Sequence, residues 1–232
     1  RCLIAVKMLE MLQVSIDNNY EVFYLFYLPQ FNARTQRLIG AEALLRWRSP
    51  NGRMVSPMEF VRILEETKMI ILVGRWIFET AVKQCKAWQE KWPGMRISIN
   101  LSYEQIKEKG FEDFAIDCLK KYDLPPYLIV LELTETAIVS DWNNVNAQFQ
   151  RFRDLGMSIA MDDFGTGYSS LMSLSELPFS ELKLDKSLID QIGTPKGEII
   201  LKHTIGTAKD LGLIIVAEGV ENKAQIEFLQ SQ

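Results

Sequence analysis

The chain has 232 residues, of which 47% are hydrophobic and 24% are charged, a composition typical of one globular α/β domain. Its formal net charge of −4 argues against a protein that binds a nucleic-acid backbone, because such a protein needs a basic face. Charged residues interrupt every apolar run, so the sequence predicts no segment that crosses a membrane.

The first predicted element is an amphipathic helix over residues 2–14, an apolar run that carries Lys7 and Glu10. The chain begins with Arg1 rather than Met, so we expect further residues to precede it in the parent protein. It contains three widely spaced cysteines, Cys2, Cys85 and Cys118. Their odd number and the lack of a Cys-x-x-Cys pattern indicate reduced thiols in a cytoplasmic protein.

Short apolar runs that predict strands alternate with longer helical patterns along the chain. The predicted strands are residues 22–28, 38–45, 96–100, 128–133, 158–161, 181–184 and 214–217. Helices are predicted over residues 71–88, 105–121 and 145–155, where apolar residues recur every three or four positions. Ser56-Pro57-Met58-Glu59 and Ser102-Tyr103-Glu104-Gln105 both have the capping-box pattern of a helix start.

The alternation of apolar strands and helices predicts a modified TIM (β/α)8 barrel, in which helices cover parallel strands. The first two strands are joined only by residues 32–37, which is too short for a parallel crossover, so one strand should be antiparallel. Seven strands are predicted, and we expect an eighth beyond Gln232. The whole chain, residues 1–232, is predicted to be one barrel domain, with residues 1–20 leading in as a helix.

Two adjacent carboxylates, Asp162 and Asp163, follow the apolar run 157–161 and precede a glycine-rich loop. Neighbouring carboxylates repel each other, and burying both is costly unless a cation lies between them. A simpler alternative is a turn in which the acids cap the next helix. Only partner residues from other strands can favour the metal interpretation.

Such partners occur at the end of almost every predicted strand. The polar residues at these positions are Glu42, Asn100, Glu132, Glu135, Asp162, Asp163, Lys183, Asp185, Glu218 and Glu221. In barrels the carboxyl ends of the strands form the active site, so these side chains should lie together. Oxygen ligands favour Mg²⁺ or Mn²⁺, and two such ions suit hydrolysis at phosphorus. Lys183 would stabilise developing negative charge or simply pair with a surplus carboxylate, and the sequence leaves both roles open.

Several motifs in this order resemble the signature of the EAL-domain family of cyclic-di-GMP phosphodiesterases. They are Glu42-Ala43-Leu44, Asn100-Leu101-Ser102, Glu132-Leu133-Thr134-Glu135, Asp162-Asp163-Phe164-Gly165, Lys183-Leu184-Asp185 and Glu218-Gly219-Val220-Glu221. The likeness runs from about Glu21 to the end of the chain. It implies a hydrolase in bacterial second-messenger signalling that converts cyclic-di-GMP to linear pGpG with two Mg²⁺ or Mn²⁺ ions.

The resemblance also implies ligand roles for the residues at matching positions. The first metal ion would be bound by Glu42, Asn100, Glu132 and Asp162. The second metal ion would be bound by Asp163. Glu135 matches the glutamate that holds the following loop, here residues 164–170, in its metal-binding shape.

The same resemblance implies the catalytic and substrate-binding residues. Lys183 and Glu218 would orient or deprotonate the attacking water, with Glu221 in support. Arg46 would contact a substrate phosphate, which suits its planar fork of donors. Leu28 and Pro29 lie at the position where the family binds the nucleotide.

Two departures from the family pattern favour an alternative, a catalytically inactive receptor that binds cyclic-di-GMP. The family has Gln in its Tyr-Gln-Pro motif, and here Leu28 replaces it. Losing that amide is expected to weaken binding by about 1–3 kcal/mol if its polar partner stays buried. The family's last motif, on the eighth strand, lies beyond Gln232, and its glutamine supports the second metal ion.

A third interpretation is a barrel glycosidase in which Glu132 and Glu218 act as acid and nucleophile, although it leaves the other acids and Lys183 without a role. The resemblance further implies partners for the chain. We expect a homodimer formed near residues 168–177, and a link to upstream sensor or cyclase domains.

Overall fold

The computed structural model describes residues 2–134, 142–166, 174 and 177–232. The chain divides into two compact units, which are described separately below. The first unit contains Arg1–Gln30 and Gly40–Ile129, and the second contains Phe31–Ile39 and Val130–Gln232. Among the described residues, no helix has the length and apolar character needed to cross a membrane.

The first unit combines a small group of strands with helices. Its strands are β1 (Phe23–Phe31) up to Gln30, β2 (Leu38–Arg48) from Gly40 onward, β3 (Met54–Val55) and β4 (Arg96–Asn100). Its helices are α1 (Cys2–Asp17), α2 (Pro57–Glu66), α3 (Ile70–Gln89), α4 (Tyr103–Lys107) and α5 (Phe111–Lys121), followed by the 3-10 turn Pro126–Leu128. The helix predicted over residues 71–88 is therefore confirmed.

The pairing of β1 and β2 confirms the predicted antiparallel strand. The Arg48 N–H donates to the Val22 carbonyl at 2.9 Å, and at the other end of the hairpin the Asn32 N–H donates to the Arg37 carbonyl at 2.9 Å. Strand β2 runs parallel to β4, with Glu42 opposite Ser98. The two-residue strand β3 pairs antiparallel with the end of β2 and is too short to give a periodic signal in the sequence.

Two helix predictions in the first unit need correction. The single helix predicted over residues 105–121 is two helices, α4 and α5. Helix α4 ends where the backbone becomes extended at Glu108 (ψ 120°), and Gly110, in a left-handed conformation with φ 101°, precedes α5. Ser102 and Gln105 form the predicted capping box at the start of α4. Ser56 precedes α2 and Pro57 opens it as predicted, but the Ser56 side chain makes no capping hydrogen bond.

The second unit alternates parallel strands with helices. Its strands are β5 (Ile129–Thr134), β6 (Ser158–Phe164), β7 (Glu181–Leu184) and β8 (Ile214–Ala217). Its helices are α6 (Trp142–Asp154), α7 (Lys186–Ile189), α8 (Pro195–Asp210) and α9 (Lys223–Ser231). Each neighbouring pair, β5–β6, β6–β7 and β7–β8, is parallel. Strand β7 is buried along its whole length, as expected for a parallel strand covered by helices.

Candidate active site

The strand register of the second unit places the predicted polar residues on one face. Glu132 on β5 is opposite Ala160 on β6, and Ala160 is opposite Glu181 on β7. Partners in a parallel pair point to the same side, and residues two apart along a strand share a face. Asp162 therefore shares this face with Glu132, and so does Lys183. Lys183 is opposite Val216 on β8, so Glu218 follows on the same side.

A bulge in β6 brings Asp163 to the site as well. Met161 is opposite Leu182 and Phe164 is opposite Leu184, so β6 uses one residue more than β7 over this interval. Asp163 has φ 57°, a left-handed conformation that is uncommon outside glycine. Its N–H donates to the Asp162 carboxylate at 2.9 Å. The prediction that the strand ends at Met161 is therefore wrong, because β6 continues through the bulge to Phe164.

Lys183 lies at the centre of this carboxylate cluster. Its Nζ is 2.7 Å from Glu132 Oε2, 2.8 Å from Glu218 Oε1 and 3.0 Å from Asp162 Oδ1. Only 1% of Lys183 and 1% of Glu132 is exposed, so water contributes almost nothing to the stabilisation of either charge. A buried ammonium is tolerated because carboxylates surround it.

The cluster has the composition of a divalent cation site. Oxygen atoms of Asp162, Asp163 and Glu218 lie within 4.8 Å of one another. When all groups are ionised, these carboxylates and Glu132 exceed the charge of Lys183 by three negative units. The donors are all hard oxygens, so the residues fit Mg²⁺ or Mn²⁺.

In the first unit, β2 and β4 bring together two further predicted ligands. Glu42 is opposite Ser98, so Asn100, two residues further along β4, lies on the same side as Glu42. The Asn100 amide donates to Glu42 Oε1 at 2.8 Å. Glu42 is 7% exposed, whereas Asn100 is exposed at the end of its strand. The contact confirms that Glu42, in the middle of β2, and Asn100, at the end of β4, are neighbours.

The predicted substrate-binding residues of the first unit form a half-exposed surface on β1 and β2. Arg46 donates to the Leu45 carbonyl at 2.9 Å, and its guanidinium lies 5.3 Å from the centre of the Phe26 ring. Leu28 is 55% exposed, and Pro29 is also exposed. An exposed leucine at this position has no stabilising role in the core.

Other predicted residues lie apart from the cluster or outside the described residues. Glu221 pairs with Lys186 at 3.0 Å and is exposed. Asp185 caps α7 by accepting a hydrogen bond from the Ser187 N–H at 2.8 Å, and contact with Ser187 lowers the pKa of its carboxyl group. Glu135 and most of the predicted dimer region, residues 168–177, lie outside the described residues.

Comparison with known families identifies the relatives of this chain, because residues 9–232 match the EAL domain. The chain belongs to the EAL domain family. It is 41% identical over 219 residues to the signaling protein YkoW of Bacillus subtilis, a match that covers 94% of the chain and 27% of YkoW. It is 38% identical over 212 residues to the cyclic di-GMP phosphodiesterase PA2567 of Pseudomonas aeruginosa, which covers 91% of the chain and 36% of that protein. This EAL domain therefore spans about a quarter to a third of these relatives.

Solved structures of EAL domains have the same fold. The PaMucR phosphodiesterase in complex with c-di-GMP superposes with a TM-score of 0.88 at 33% identity, covering 97% of this chain and 91% of that one. The EAL enzyme Bd1971, in a form that binds cAMP and cyclic-di-GMP, superposes with a TM-score of 0.92 at 32% identity, covering 99% of this chain and 63% of that one. This likeness confirms the predicted fold class, the modified TIM barrel of EAL domains.

Two residues that contact Glu221 were not predicted from the sequence. Lys186 pairs with Glu221, and the buried Gln225 accepts a hydrogen bond from the Glu221 N–H at 2.7 Å. A signal for Gln225 exists in the sequence, since Asn222 and Gln225 have capping-box spacing, and the structure forms that box. Lys186 has no such signal, because a lysine after a strand end is usually solvated.

Proposed function

We propose that this EAL domain hydrolyses one phosphodiester bond of cyclic-di-GMP and releases linear pGpG. The observation that carries the proposal is the buried Lys183, held by Glu132, Asp162 and Glu218. A buried cluster with this much excess negative charge is costly for stability, which is expected of a catalytic site and not of a structural core. A relative at 38% identity is named a cyclic di-GMP phosphodiesterase, which supports the same substrate.

The cofactor we propose is a pair of Mg²⁺ or Mn²⁺ ions. Bound divalent ions would polarise the phosphate oxygens and lower the pKa of a water molecule. The residues proposed to hold the first ion are Glu42, Asn100, Glu132 and Asp162. Asp163 is proposed to hold the second ion, and its place beside Asp162 and Glu218 supports that role.

The protein's own side chains would supply the remaining steps. The Lys183 ammonium would stabilise negative charge that develops on the phosphate, and its three carboxylate contacts fix its position. Glu218 would accept the proton of the attacking water, because it is the more exposed of the carboxylates that contact Lys183. Glu221 is proposed to support Glu218 from the same loop.

Substrate binding is assigned to the half-exposed surface of β1 and β2. Arg46 would contact a phosphate of the dinucleotide, since a guanidinium can donate two parallel hydrogen bonds to it. Leu28 and Pro29 would contact the nucleotide through apolar surface. Glu135 is proposed to hold the loop that follows β6.

The second candidate function is a receptor that binds cyclic-di-GMP without hydrolysing it. The exposed Leu28 favours this alternative, because an apolar side chain cannot replace the hydrogen bonds of an amide. The site clusters favour the enzyme, since a receptor gains nothing from a buried lysine among carboxylates. Binding of the dinucleotide without formation of pGpG would identify the receptor.

The experiment that tests the enzyme compares two glutamate variants. Glu218→Gln should lower kcat for pGpG formation by about 10²–10⁴-fold, because it removes the proposed proton acceptor. The control is Glu227→Gln, which removes an exposed carboxylate of α9 that pairs with Lys223. Equal activity of Glu218→Gln and the wild type would contradict the assignment of Glu218.

The partner domains of this chain, its dimerisation and its cellular location are also proposed. We propose that residues 1–232 are one EAL-type domain linked to sensor or cyclase domains. A relative at 36% identity is named a bifunctional diguanylate cyclase/cyclic di-GMP phosphodiesterase, and the chain covers 30% of it, which supports such a link. We also propose dimerisation near residues 168–177 and a cytoplasmic location, which the sequence suggests.

A further inference from the structure

The segment between β8 and α9 carries both Glu218 and Glu221, and we name residues 218–222 the acidic loop. We propose that Lys186 and Gln225 are positioning residues that fix this loop, so that Glu218 faces Lys183. The inference rests on the proposed function, because it concerns the geometry of Glu218. Neither residue belongs to the sequence motifs that contain the proposed catalytic residues.

Gln225 binds the backbone of the acidic loop through hydrogen bonds. Its Oε1 accepts hydrogen bonds from the N–H groups of Glu221 at 2.7 Å and Asn222 at 3.2 Å. Its Nε2 donates to the Ile189 carbonyl, the last residue of α7, at 3.5 Å. Gln225 is only 6% exposed, so these contacts replace hydration that the buried amide has lost. One side chain therefore ties the acidic loop to α7.

Lys186 contacts both a side chain and the backbone of the acidic loop. Its Nζ is 3.0 Å from Glu221 Oε1 and 2.9 Å from Asp190 Oδ1. Its apolar stem packs on Gly219, where an added Cβ would come within 2.6–2.8 Å of the Lys186 side chain. Gly219 also has φ +61°, so this position suits glycine for two independent reasons. The loop is thus shaped to lie directly on Lys186.

These contacts determine where Glu218 points. The Glu218 N–H donates to the Leu184 carbonyl at 3.0 Å, which continues the pairing of β7 with β8. Beyond this hydrogen bond the next residue is Gly219, which offers no side chain of its own to fix the loop. Lys183 and Lys186 come from the two ends of one short segment, and Lys183 contacts Glu218 while Lys186 contacts Glu221. Loss of the Lys186 contact should therefore loosen Glu218.

Lysine variants test the proposal through kinetics. Lys186→Met should lower kcat for pGpG formation by about 10- to 100-fold with little change in KM, as for other residues that orient catalytic groups. Lys186→Arg should restore most of the rate, because it keeps the charge and the stem. Lys223→Met is the control, since it removes an exposed lysine that pairs only with Glu227 among the ion pairs observed in the described residues. A wild-type rate in Lys186→Met would overturn the proposal.

Binding of Mn²⁺ to the substrate-free protein is the second readout, measured by calorimetry. It reports on Glu218 because Glu218 lies with Asp162 and Asp163 in the cluster that has the composition of a cation site. Lys186→Met should bind Mn²⁺ about 10- to 100-fold more weakly than the wild type. Its melting temperature without metal should stay close to that of Lys223→Met, because an exposed ion pair adds little stability. Equal Mn²⁺ affinity in wild type and Lys186→Met would overturn the positioning role. Weakened Mn²⁺ binding with no pGpG from any variant would support the positioning role and contradict the phosphodiesterase.

Variants of Gln225 test the second positioning residue. Gln225→Met keeps the length of the side chain but removes the acceptor for two N–H groups, so Mn²⁺ affinity should fall about 10- to 100-fold. Gln225→Glu keeps an acceptor oxygen and should recover part of that affinity. If both variants bind Mn²⁺ as tightly as the wild type, Gln225 does not position the acidic loop.

Discussion

Replacement of Lys183 by methionine is expected to destabilise the metal-free protein strongly. The substitution keeps an unbranched side chain of similar length but removes the ammonium that contacts Glu132, Asp162 and Glu218. The Lys183 side chain is 2% exposed and the Glu132 side chain 1% exposed, so water cannot take over the lost contacts. Glu132 above all would remain buried without its counter-charge.

The size of the effect follows from the three contacts of 2.7, 2.8 and 3.0 Å. At an effective dielectric constant of about 20, each contact represents a gross attraction of about 6 kcal/mol. Desolvation of the buried charges cancels most of that attraction. Removing one member of a buried ion pair still costs about 3–5 kcal/mol, because the remaining charge is left uncompensated. We expect Lys183→Met to lower the free energy of unfolding by this amount.

The assay is urea denaturation in EDTA and in Mn²⁺, with Lys186→Met as the matched control. Lys186 is a half-exposed lysine in ion pairs, so its loss should cost no more than about 1 kcal/mol. A bound cation replaces part of the missing charge, so Mn²⁺ should restore more stability to Lys183→Met than to the wild type. If metal-free Lys183→Met is as stable as the wild type, the carboxylates around Lys183 do not need its charge.

Three further predictions concern other residues. Leu28→Gln should lower the Kd for cyclic-di-GMP by about 2- to 10-fold, the worth of one net hydrogen bond, whereas the control Leu72→Gln, at another exposed leucine, should leave the Kd unchanged. Equal Kd values in both variants would contradict a nucleotide contact at Leu28. Asp163→Ala should be less stable than Asp163→Asn by about 1–2 kcal/mol in metal-free denaturant titrations, because both variants remove the charge but only Asn tolerates φ 57°. Equal stability of the two variants would show that the backbone is not strained. Burial raises the pKa of the Cys85 and Cys118 thiols to about 11, so at pH 8 about 0.1% of each is thiolate. Mass spectrometry should therefore find that both thiols are alkylated slowly in the native protein. The alkylation rate should rise with pH, and it should be high in denaturant. Rapid alkylation of the native protein at pH 8 would contradict the raised pKa values.

Much of the fold is predictable from the sequence because strands and helices have different apolar periods. All seven predicted strands are present in the described residues, and the short loop 32–37 correctly indicated an antiparallel pair. The break between α4 and α5 was missed because the apolar spacing continues across it, whereas the extended Glu108 and the left-handed Gly110 are local properties of single residues. Strand β3 has only two residues, so it has no period to detect.

The candidate site was predictable to the extent that it depends on strand ends. Glu132, Asp162, Lys183 and Glu218 meet because parallel strands place equivalent positions side by side. The bulge at Asp163 was not predictable, since it depends on the register between β6 and β7. The contacts of Lys186 and Gln225 with the acidic loop depend on tertiary packing, which apolar periods do not encode.

The most direct test of the phosphodiesterase is to incubate the purified protein with cyclic-di-GMP in Mg²⁺, Mn²⁺ or EDTA and to separate the products by chromatography. We expect pGpG to form with either metal ion and EDTA to abolish its formation. Dinucleotide that binds but remains intact with both metal ions would contradict the phosphodiesterase and identify a receptor.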